Sequence, residues 1–105
     1  MTTLAIELEI PSVEHVIVTE DTLSVDLSDG RTISVPTAWY PRLKHAEQVE
    51  RENWKIIGGG HGIHWEDIDE DISVESLIAG RASGESQKSF KKWLEARTRI
   101  TRRST

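Results

Sequence analysis

The chain of 105 residues contains no cysteine, and methionine, phenylalanine and tyrosine occur once each. Without thiols there is no disulfide framework, no cysteine nucleophile, no zinc–thiolate site and no iron–sulfur cluster, so the fold rests on packing and hydrogen bonds. No segment approaches the ~18 consecutive apolar residues of a membrane span. The N-terminal Met1 to Ile10 carries Glu7 and Glu9 where a secretory signal needs a basic start and an apolar run. A soluble, cytoplasmic protein is the expectation, with no membrane partner.

What is present is one small domain's worth of chain, 36% hydrophobic and 30% charged, with four tryptophans. The net charge of −5 conceals an asymmetry. From Lys88 to Thr105 there are seven basic residues against Glu95, whereas the preceding 87 residues hold six basic and 17 acidic side chains. Such a division lets the basic segment lie on the acidic body, pair with a second copy, or seek a phosphate backbone. The expected organisation is a domain over residues 1–80 followed by a linker and basic C-terminal helix over 81–105.

Apolar residues recur near the two-residue period of a half-buried strand at Val13, Val16 and Val18, at Leu23, Val25 and Leu27, and at Ile33 and Val35. The dipeptide Asp29-Gly30 between the last two runs suits a tight hairpin turn. An antiparallel meander follows, preceded by a further edge strand through Leu4, Ile6, Leu8 and Ile10. Beyond Pro36, Thr37 is placed to cap a helical segment with Pro41 in its first turn, continuing as a helix over Ala46 to Trp54 with Leu43, Ala46 and Val49 on its apolar stripe. Lys55-Ile56-Ile57 and Ile63-His64-Trp65 read as brief extended pieces. The acidic run Glu66 to Asp71 reads as the approach to a short helix over Ser73 to Ala79, capped by serine and ended by Gly80. From Glu85 to about Arg99 a last amphipathic helix places Phe90, Trp93, Leu94 and Arg97 on one face. The fold class expected is α+β: a small antiparallel sheet, the N-terminal meander, packed on short helices containing Leu43, Val49 and Leu77, with Trp39, Trp54 and Trp65 largely buried.

Chemistry-bearing motifs are few. Gly58-Gly59-Gly60-His61-Gly62 follows a strand, but neither the Lys-Ser/Thr of a P-loop nor a G-x-G-x-x-G opening a helix is present, and the next charged residues are acids that repel phosphate. The glycines are expected instead to pass beneath a tryptophan. His61 and His64 with Glu66, Asp67 and Asp69 are the nearest approach to a metal site, yet an extended Ile63–Trp65 directs the two imidazoles apart. Asp67, Asp69 and Asp71 imitate the start of a calcium loop, but Ile72 and Ile78 stand where glycine and a bidentate glutamate are required. No G-x-S-x-G elbow or serine–histidine pairing is evident. The expectation is therefore a non-enzyme with no catalytic residues, no metal and no cofactor.

Five segments carry a resemblance: Val18-Thr19-Glu20-Asp21-Thr22-Leu23, Asp29-Gly30-Arg31, Val35-Pro36-Thr37-Ala38-Trp39-Tyr40-Pro41-Arg42-Leu43, Arg51-Glu52-Asn53-Trp54, and the run from Gly60 through Trp65 to Ile72. Together they resemble the bacterial domain of unknown function 2442, over about Ser12 to Gly80. The resemblance implies a small α+β domain with an antiparallel sheet. It also implies gene neighbourhoods suggestive of toxin–antitoxin pairs, and in some members an appended DNA-binding helix-turn-helix, from which this chain departs by having a single basic helix after Gly80.

The functional expectation is a small protein-binding module, antitoxin-like or regulatory, whose partner is another protein such as a toxin or a defence enzyme. Its candidate face is Glu66, Asp67, Asp69, Glu70 and Asp71. The alternatives are an inhibitor carried on a mobile element that masks a nucleic-acid-binding enzyme, and a DNA-binding regulator using Lys88, Lys91, Lys92, Arg97, Arg99, Arg102 and Arg103. A homodimer through the last helix is a further arrangement that the sequence allows.

Overall fold

The structure, a computed structural model, describes the backbone from Ile10 to Ser104 and the side chains from Ile10 to Thr98. The strand expected over Leu4 to Ile10 and the side chains of Arg99, Arg102 and Arg103 therefore lie outside the described residues, Ile10 excepted.

Three strands, β1 (Val13–Val18), β2 (Thr22–Leu27) and β3 (Thr32–Pro36), form the expected antiparallel meander. Alternation decides which side faces inward: Leu23, Val25 and Leu27 are buried, while Asp26, Ser24 and Thr22 turn to the other face. The β2–β3 turn contains Gly30 at φ 90°, a conformation open to glycine. Thr37 does not act as a helix cap. Fully buried, it opens a 3-10 turn (Thr37–Trp39), and its hydroxyl donates to the Thr19 carbonyl at 2.9 Å, pinning that turn to the β1–β2 connection.

The single long helix expected up to Trp54 is instead two short ones, α1 (Pro41–His45) and α2 (Gln48–Arg51), separated by an extended Ala46. The reason lies in Arg51. Its buried guanidinium donates from Nε to the Leu43 carbonyl and from Nη2 to the Lys44 carbonyl, both at 2.9 Å, supplying partners that a continuing helix would have supplied. Glu47 and Glu50 form a capping box that starts α2 afresh. Leu43 and Ala46 are buried as expected, but Val49 is 68% exposed and takes no part in the core.

A second antiparallel meander follows: β4 (Trp54–Ile57), β5 (Gly62–Trp65) and β6 (Glu70–Ser73). The acidic run is thus partly a strand rather than a helix approach. The connecting Gly58–Gly60 turn does not pass beneath a tryptophan; a side chain at Gly60 would come within 2.8 Å of Ser12 Cβ. Helix α3 (Val74–Ala79) is capped by Ser73, whose hydroxyl accepts from the Ser76 amide at 3.1 Å, and ends at Gly80.

The core joins Val16, Leu23, Val25 and Leu27 of the first sheet to Leu43, Ile63, Trp65, Ile68, Ile72, Val74 and Leu77. Trp65 is fully buried, whereas Trp39 and Trp54 are half-buried at the core's margin. The final helix, α4 (Gln87–Ser104), begins two residues later and ends further on than the sequence suggests.

Candidate functional site

The β5–β6 turn and the row of residues crossing the second sheet bring most of the singled-out side chains together. Register sets Lys55 beside His64 and His64 beside Asp71, so that a cation, an imidazole and a carboxylate lie across β4, β5 and β6 on one face. His64 Nδ1 meets Asp71 Oδ1 at 2.5 Å and its Nε2 meets Glu66 Oε2 at 3.2 Å; Glu66 also pairs with Lys55 at 3.3 Å. The hydrogen bond that its ring donates to Asp71 raises the His64 pKa above its ordinary value, and Lys55 holds the Glu66 carboxyl below its own. His64 thus stands between two carboxylates, hydrogen-bonded through Nδ1 to Asp71 and with Glu66 beside Nε2.

The four histidines do not converge. His61 caps the glycine turn in an exposed position, His15 packs edge-on against Trp54 at 5.8 Å, and His45 packs against Phe90 at 5.0 Å. Among the described residues no group of three or more histidines and carboxylates is placed to hold a metal ion.

The five candidate acids divide by strand parity. Glu66, Asp67, Asp69 and Asp71 are exposed, but Glu70 shares the inward face of β6 with buried Ile72 and is half-buried next to Trp65 in register. Burial, with Glu85 nearby, pushes the Glu70 carboxyl up to about 7. Between the exposed acids sits fully buried Ile68, which anchors the turn. The Ile68 carbonyl accepts from Arg42 Nη1 at 2.9 Å, Asn53 donates to Asp67 at 3.0 Å, and Asp69 adopts a positive φ of 51°. The acidic turn is therefore held from inside, with its carboxylates outward.

Arg42 serves a second purpose, for which no motif in its neighbourhood is a signal. It forms a fork with Glu85 through Nη2–Oε2 at 2.6 Å and Nε–Oε1 at 3.0 Å, and its guanidinium lies 5.3 Å from the Trp93 ring. Arg97 also lies over the Trp93 ring, 4.7 Å from its centroid, and forms a fork with Glu50 at 2.8 and 3.0 Å. Phe90 stacks on Trp93 at 5.6 Å. Helix α4 thus lies on its own body through the apolar stripe, and Arg97, counted among the candidate nucleic-acid contacts, is engaged in that docking. Lys88, Lys91 and Lys92 are exposed. Arg99, Arg102 and Arg103, the other candidate nucleic-acid contacts, lie beyond the described side chains.

A cleft of about 360 Å³ lies between β6 and the linker over residues 81–84, with Tyr40 and Glu70 in its wall. Among the described residues no helix is long and apolar enough to cross a membrane.

No curated protein matches the chain. Two solved structures are similar to it. A protein of unknown function from Rhodospirillum rubrum shares 27% identity with a TM-score of 0.64, covering 75% of this chain and 98% of that one. An uncharacterized protein from Chromobacterium violaceum shares 20% identity with a TM-score of 0.62, covering 87% of this chain and 82% of that one, a likeness of fold alone. The family model described as protein of unknown function DUF2442 matches residues 13–83. With well over half its length matched, and with both antiparallel meanders inside the matched span, the chain belongs to the DUF2442 family.

Proposed function

We propose that this domain is a non-catalytic, protein-binding module of regulatory or antitoxin-like type, recognising a basic surface on its partner. The observation that carries this reading is the anchored acidic turn. Ile68 is buried and its carbonyl is bonded to Arg42, so that Glu66, Asp67 and Asp69 are presented from a backbone that needs little further ordering on association. Asp71 extends this acidic surface along β6. Complementary charge of this kind raises the association rate and makes binding fall with salt. The doubly engaged His64 supports the non-catalytic part of the proposal, since an imidazole committed at both nitrogens is a poor general base. A basic surface that ordinarily contacts nucleic acid would also be recognised, which accommodates an inhibitor of a nucleic-acid-binding enzyme.

The test is capture of partners from a lysate of the native host by the full chain and by the variant carrying Glu66→Gln, Asp67→Asn, Asp69→Asn and Asp71→Asn. Capture that declines with salt and is lost in the variant supports the reading. Capture indifferent to all four changes excludes this face.

A second reading is favoured by the exposed side of α4, where Lys88, Lys91 and Lys92 stand opposite the docked stripe. Retention on duplex DNA that disappears on Lys88→Gln, Lys91→Gln and Lys92→Gln, with the melting temperature unchanged, would support contact with a phosphate backbone.

A further inference from the structure

The edge of the second sheet and the linker after α3 enclose a space that the acidic turn does not use. Strand β6 is the last of the order β4-β5-β6, so one side of its backbone has no strand partner among the described residues. All four of its residues line the cleft of about 360 Å³. The opposite wall is Arg81 to Gly84, whose backbone is held away from β6: Arg81 donates to the Ser76 carbonyl at 3.0 Å, Ser83 donates to the Trp39 carbonyl at 2.9 Å, and the Arg81 carbonyl accepts from the Tyr40 hydroxyl at 3.1 Å. The volume lies at the lower end of ligand clefts, which run from about 300 to 1,000 Å³.

Glu70 gives this cleft its chemistry. Its carboxylate is half-buried, and among the described residues it receives no side-chain or backbone hydrogen bond and forms no ion pair. Arg42, whose charge acts on Glu70, spends its fork on Glu85 and its remaining nitrogen on the Ile68 carbonyl. Arg81 lines the cleft without pairing with Glu70 and is exposed. The other charges acting on Glu70, from Glu85, Asp71 and Asp69, are all negative. A carboxylate in such surroundings is short of one cationic donor. Ile57, Ile72 and Ala82 add apolar wall suited to an aliphatic stem.

We infer that the cleft between β6 and the 81–84 linker receives a lysine or arginine side chain carried on an extended segment of a protein partner, with the cationic head on the Glu70 carboxylate and the segment's backbone along the open edge of β6. The inference rests on the protein-binding reading above and adds to it the chemistry of the bound segment. Strand addition at an open edge supplies affinity through main-chain hydrogen bonds, and a pocket for one side chain supplies selectivity.

The experiment is a titration of the full chain, isotope-labelled for NMR, with N-acetyl-arginine N-methylamide and, as a neutral control, the norleucine analogue. Expected are saturable amide shifts confined to residues 70–73 and 81–84 with the arginine probe, at least tenfold weaker binding in Glu70→Gln, and a Glu70 titration midpoint that moves down as the probe saturates. A folded Glu70→Gln variant is checked by its retained spectral dispersion. Absence of shifts, equal binding of the norleucine analogue, or shifts centred on the Glu66–Asp69 turn and unchanged by Glu70→Gln would overturn the inference. Failure of the broader reading is distinguishable: lysate capture lost on neutralising the outer acids but unaffected by Glu70→Gln removes the cleft and leaves the module. Probe binding in the cleft by a chain that captures no protein does the reverse.

Discussion

The indole Nε1 of Trp65 donates to the backbone carbonyl of Arg51 at 3.1 Å, both groups buried, and so ties the second sheet to the point where α2 ends. Arg51 in turn satisfies carbonyls of α1, so one tryptophan supports two turns of helix that propensity alone would not hold. Trp65→Ala should cost about 3–5 kcal/mol in denaturant unfolding. Trp65→Phe keeps much of the apolar volume but leaves the Arg51 carbonyl without its partner, at a cost of about 1–3 kcal/mol. A shift of less than a degree in the melting temperature of Trp65→Ala would contradict this placement.

Docking of α4 makes a second outcome measurable. Removing Lys88 to Thr105 withdraws Trp93 and Phe90 from the body and leaves Arg42 and Glu50 without their helix partners, so the melting temperature should fall. Trp93→Ala should reproduce most of that loss. Arg97→Gln should cost less, about 1 kcal/mol or below, because a partly exposed ion pair contributes little beyond its desolvation. Unchanged melting of the truncated chain would mean that the helix does not rest on the body.

Glu70 sets the pH dependence near neutrality. Its pKa is raised from 4.5 to about 7 on folding, so the folded chain holds a proton that the unfolded chain releases. The associated stability is present in full below pH 4.5 and is lost as pH rises to 7 and beyond. For a half-buried group the loss is on the order of 1–3 kcal/mol. Glu70→Gln should flatten the profile across this window, measured as unfolding free energy at pH 5 and pH 8. An unaltered slope would show that Glu70 is not the group responsible.

His64 titrates in the same direction for a different reason. Its pKa is raised chiefly by the hydrogen bond it donates to Asp71, so its contribution is present below the unfolded value of 6.5 and fades as pH passes the folded one. Asp71→Asn should lower the His64 midpoint in an NMR titration, and Glu66→Gln should lower it less. A His64 midpoint that stays put in Asp71→Asn would contradict the cross-strand pair.

Local chemistry by itself determined the first meander, because apolar residues from Val16 to Val35 recur at a period of two within each strand and Asp29-Gly30 marks the turn. The three-residue step from Val13 to Val16 coincides with the one register irregularity between β1 and β2. Local chemistry also determined the cap and end of α3 at Ser73 and Gly80 and the apolar stripe of α4, though not the surface that the stripe covers. Two features were decided only by tertiary structure. The helix expected through Trp54 is broken because a buried arginine takes over its carbonyls, and the side chain that does so comes from eight residues along the chain. The acidic run was expected to lead into a helix, since five carboxylates hide the alternation of Glu70, Asp71, Ile72 and Ser73. Pairing with β5 makes it a strand and turns Glu70 alone of the acids inward. Spacing along a chain fixes which residues share a face, but only the packing of one sheet against another decides which face loses water, and that loss is what gives Glu70 its altered proton affinity.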